Sequence, residues 1–97
     1  MKKQRLRRLL ALCILENLSS HVITVPNVRR YVTSDLRSLY TIRRETKISN
    51  TDIRVAMIMV YKAIRIKPIP FRFAPRSSPM GIEREKYFLE TPLAELI

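Results

Sequence analysis

Arg43, Arg44 and Lys47 stand just ahead of Ser49, and beyond it Thr51, Arg54, Ile58, Lys62 and Arg65 recur at roughly helical spacing, with Val55 between them. Guanidinium, ammonium and hydroxyl groups in that order suit phosphate oxygens. On a helix, Arg54 would reach a guanine edge or a phosphate, and Val55 or Ile58 a thymine methyl. A second group, Arg72, Arg76, Ser77 and Ser78, lies among Pro75 and Pro79. Its side chains and backbone N–H groups suit phosphate or minor-groove contact. The prolines would stiffen it and lower the entropic cost of binding.

Other chemistries find little to work with. Cys13 is the only cysteine, His21 the only histidine and Gly81 the only glycine. That removes an internal disulfide, a CxxC metal site and glycine-rich nucleotide loops, so neither metal nor cofactor is expected. Asp35, Glu45 and Asp52 have simpler uses as helix caps or ion-pair partners than as a nuclease metal site. No catalytic residues are assigned, and the chain reads as a binding protein rather than an enzyme.

Charge supports the phosphate reading. The 97 residues carry a formal net charge of +11. Residues 1–82 hold 17 Lys/Arg and 4 Asp/Glu, whereas residues 83–97 hold 2 Lys/Arg and 4 Glu. A body this basic points to a polyanion, and the acidic tail should turn away from it. The N-terminal "KKQRLRR" would grip a backbone or simply begin a solvated helix. "LLALCIL" after it is about half a membrane span and lacks a small-x-small cleavage site. It belongs to the fold, a membrane is not the expected partner, and the cytoplasm or nucleoid is the expected location.

The elements that must position these groups follow from periodicity. Residues 3–18 place Leu6, Leu9, Leu10, Cys13 and Ile14 on one helical stripe, with Arg7 and Arg8 off it. "HVITV" before Pro26 reads as a short strand. Residues 27–44 form either one helix or a short helix and a second one from Ser34. Ser49 caps a helix over 49–64, with Asp52 completing an approximate capping box. Its core stripe is Ile53, Ala56, Met57, Val60 and Ile64, opposite the basic arc. "IPFRFAP" alternates and "EREKYFLE" holds Tyr87, Phe88 and Leu89, so the two read as strands of a β-hairpin around a basic loop. "TPLAELI" is a helical turn or a docked tail.

Helix, short strand, helix, connection, helix, strand, loop, strand resembles the winged helix-turn-helix family over residues 4–90. The resemblance implies an α+β fold in one domain spanning 1–97, with 91–97 as a tail. It further implies that helix 49–64 is the recognition helix and the hairpin a wing on the flanking backbone. The expected partner is then double-stranded DNA, the role transcriptional regulation and the state a homodimer. Val55, Ile58 and Met59 would either touch DNA or bury a second copy. The alternative is a basic RNA-binding or assembly protein, ribosome-associated or viral, without sequence-specific DNA recognition.

Overall fold

Hydroxyl side chains that cap helix starts set much of the architecture. In the computed structural model, which describes residues 2–17, 23–33 and 39–97, six helices follow one another. They are α1 (Lys3–Asn17), α2 (Val25–Tyr31), α3 (Asn50–Ile66), α4 (Ile69–Phe73), α5 (Pro79–Glu90) and α6 (Leu93–Leu96). Thr24 Oγ1 accepts from the Asn27 N–H and starts α2. Ser49 Oγ accepts from the Asp52 N–H at 3.1 Å, and the Asp52 carboxylate accepts from the Ser49 N–H at 3.0 Å. That is the capping box the sequence predicts. Ser78 Oγ accepts from the Gly81 N–H at 3.0 Å, and Pro79 supplies a preset φ in the first turn of α5.

The hydrophobic core is built around α1. Leu9 to Leu15 are all buried, without the polar side that a surface helix keeps. α3 packs along one side of it and α5 along another, with α2 against α3 and α6 folded back on α3. Cys13 sits in the middle with no solvent access, and burial, aided by Glu16, pushes its thiol pKa up. Gly81 lets α5 approach the preceding loop: a Cβ there would meet the Pro75 carbonyl oxygen at 2.1 Å.

The α+β expectation is overturned, and with it the wing. Among the described residues there is no strand, and both halves of the expected hairpin are helical. The reasons are local. Pro68 and Pro70 lack the N–H that a ladder needs, yet they suit the start of a helix. Ser78 and Pro79 form a helix start, after which Gly81, Arg84 and Phe88 recur on a buried helical face. Of "HVITV", His21 and Val22 lie outside the described residues, and Thr24 and Val25 open α2 instead of ending a strand. The helix expected over 27–44 is the shorter α2; its alternative restart at Ser34 falls outside the described residues. The tail is the short helix α6, and its Leu96 is buried.

Candidate nucleic-acid interface

α3 turns its only acid inward and its arginines outward. At 100° per residue, the buried residues Asp52, Ile53, Ala56, Met59, Val60 and Ala63 occupy one arc. Asn50, Thr51, Arg54, Ile58, Tyr61 and Arg65 fall opposite and are exposed. Val55 and Lys62 lie on the flank and are half-buried; Lys62 Nζ is 3.5 Å from the Ile97 carbonyl oxygen. Thr51, Arg54, Ile58 and Arg65 therefore share the forward face, while Val55 and Lys62 edge it. The core arc is rotated from the expected stripe: Met59 is wholly buried, and Met57 and Ile64 are only half-buried. α1 lies on the Asp52–Met59 side, and its contact sets the rotation. A dimer surface of Val55, Ile58 and Met59 thus loses Met59 to the chain's own core.

The segment ahead of α3 is pinned at both ends. Ile42 and Ile48 are buried, while Arg43, Arg44, Glu45 and Lys47 between them are exposed. The Thr46 N–H donates to the Arg43 carbonyl at 3.0 Å and closes a turn. Lys3 Nζ donates to the Lys47 carbonyl at 2.9 Å, and Arg29 donates to the Ile48 carbonyl at 2.7 Å and to Asn50 Oδ1 at 2.9 Å. These contacts frame a cleft of about 460 Å³ at the N-terminal end of α3, lined by Lys3, Arg29, Thr33, Arg44, Lys47 and Ser49 among others. Sequence reading gives Arg29 no role here and takes Lys3 only as part of "KKQRLRR". For Lys3 there was a signal: it lies on the same helical row as Arg7, Leu10 and Ile14, so the row facing α3 ends in cations.

The row meets Asp52. Lys3 Nζ is 2.8 Å from one carboxylate oxygen and Arg7 Nε 2.8 Å from the other. Desolvation by itself would raise the Asp52 pKa; hydrogen bonds from Lys3, Arg7 and Ser49 outweigh it and hold the carboxyl well below the usual range. Asp52 is therefore ionised and spent internally. Between Ile42 and Ile82 the only other acid is Glu45. The field over the exposed face of α3 and its approach segment is thus positive.

Arg72, Arg76 and Ser77 are elsewhere, at the α4–α5 corner. The Arg72 guanidinium lies 4.9 Å from the centre of the Phe73 ring. Arg76 stacks on Tyr40 at 4.6 Å and donates to the Leu39 carbonyl at 3.3 Å. Its cleft, about 330 Å³, also touches Arg5, Tyr40 and Glu85. Arg76 and the segment ahead of α3 line different clefts, and no hairpin carries the second cluster.

No family model, curated protein or solved structure matches this chain. Among the described residues, no helix is long and apolar enough to cross a membrane, and no group of His, Cys, Asp or Glu could hold a metal ion.

Proposed function

We propose that this protein binds double-stranded DNA, with the exposed arc of α3 in the major groove, and that it acts as a regulator of transcription rather than as an enzyme. One observation carries the reading: α3 buries its single acid and presents Thr51, Arg54 and Arg65 forward, with Arg43 and Lys47 at its positive end. α3 is about 25 Å long at 1.5 Å per residue, enough to follow a groove about 12 Å wide. Arg54 reads a base edge. Thr51, Arg43 and Lys47 hold phosphates around the helix start, where the dipole favours anions.

The test is fluorescence anisotropy of the full chain with labelled duplex DNA, single-stranded DNA and RNA across a salt series. Duplex should bind tightest, with a log–log salt slope of about −2 to −3, nearly one unit for each phosphate that Arg43, Lys47 or Arg65 neutralises. Arg54→Ala should reduce discrimination between a selected duplex and a scrambled one by roughly tenfold, about the worth of one base contact. The pair Arg43→Ala and Lys47→Ala should weaken every duplex alike and flatten the slope by about 2. Absence of duplex binding at low salt would sink the proposal. Tighter binding to RNA would replace it with the RNA-docking alternative.

A further inference from the structure

α4 is a five-residue helix too short to stand alone, yet it is firmly seated. Phe71 is buried and meets Tyr87 edge-on at 5.7 Å. Arg84, only 1% exposed, donates to the Phe71 carbonyl at 2.9 Å and the Arg72 carbonyl at 3.2 Å. Those are the carbonyls that end α4. Pro68 and Pro70 fix the entry to the helix.

What this rigid knuckle displays is apolar. Ile69 is 70% exposed and Phe73 58%, and at i, i+4 they share a face. Ile66, 59% exposed, precedes Ile69 by three residues, at most about 10 Å along the chain. Lys67, Arg72 and Arg76 flank them in sequence, and no acid occurs from Ile53 to Ile82. Glu83 and Glu90 line the cleft beside Lys67 and Phe71, where Lys86 joins Lys67 in offsetting them.

We infer that the α4 knuckle docks on an anionic lipid surface, with Ile66, Ile69 and Phe73 entering the acyl boundary and the cations meeting headgroup phosphates. Charge complementarity selects this occupant. A second copy of the same face would set like charges against each other. Nucleic acid would use stacking platforms, but two of the three exposed tips are aliphatic and cannot stack. Apolar tips in a cationic collar are what an anionic interface rewards. The apolar run of α1 is buried in the core, so the lipid-facing surface is a different element.

The test is co-sedimentation of the full chain with phosphatidylcholine vesicles and with vesicles in which phosphatidylserine is about a third of the lipid. Binding should require the anionic lipid. Ile69→Ser with Phe73→Ser, both at exposed positions, should keep the thermal melt and duplex binding while lowering vesicle partition at least about tenfold. Three outcomes overturn the inference. The chain fails to sediment with anionic vesicles at low salt, the double variant sediments as well as the parent, or the double variant changes the oligomeric state without lipid. Because duplex binding is read on the same variant, this surface and the α3 interface fail independently.

Discussion

Among the described residues, two ion-paired junctions between helices are built on opposite plans. At Asp52 a buried anion is met by two cations that reach in from the solvent edge, Lys3 with more than half of its side chain still exposed. At Arg84 the buried member is the cation. It bonds to two backbone carbonyls, and its one acid, Glu16, lies 3.3 Å away and is itself nearly buried. Glu16 also accepts from the Tyr40 hydroxyl, and burial followed by that hydrogen bond raises the Tyr40 pKa. The first junction can relax by letting its cations return to water. The second has no such exit, so the same kind of contact costs more to break there.

Arg84→Ala is the harshest test of that contrast. It strands Glu16 and frees the carbonyls of Phe71 and Arg72, and it should cost about 3–5 kcal/mol in urea unfolding. Loss under about 1 kcal/mol would mean that solvent reaches the junction after all. Asp52→Asn should cost less, about 2 kcal/mol, because Lys3 and Arg7 can rehydrate. Its pH dependence has a definite sign. The folded carboxyl lies below its ordinary value, so its stabilisation is complete above about pH 3.9 and is lost as pH falls further. The urea midpoint of the parent should drop through that acidic range, and Asp52→Asn should flatten the drop. Lys3→Ala should do least, under about 1 kcal/mol, and high salt should mask it. A larger effect would place Lys3 on the plan of the Arg84 junction.

Legibility in the sequence followed the range of the interaction. α3 could be read because Ser49 and Asp52 form a cap three residues apart, and α1 because its leucines repeat every turn. The basic arc of α3 is also readable, but nothing local says which side α1 will cover, so the expected stripe holds Met57 where the core takes Met59. α4 and α5 were misread because five alternating residues mimic a strand, and Tyr87, Phe88 and Leu89 favour one. The Ser78–Pro79 helix start is the stronger signal for α5. Arg7 lies 45 residues from Asp52, and Arg84 lies 13 from Phe71. No local pattern announces such pairings. Of the candidate site, the α3 group was legible for the same reason, whereas Arg72, Arg76 and Ser77 depended on a hairpin that does not form.

The placement of Cys13 turns the protein into its own clock. Its thiol is shut inside the helix that every large element rests on, and a raised pKa leaves little thiolate to react. An alkylating reagent can reach it only when the core opens. With one cysteine in the chain, the rate of labelling counts those openings directly and without a second signal. DNA or lipid bound to the surface would then register as a slower tick from a residue that touches neither.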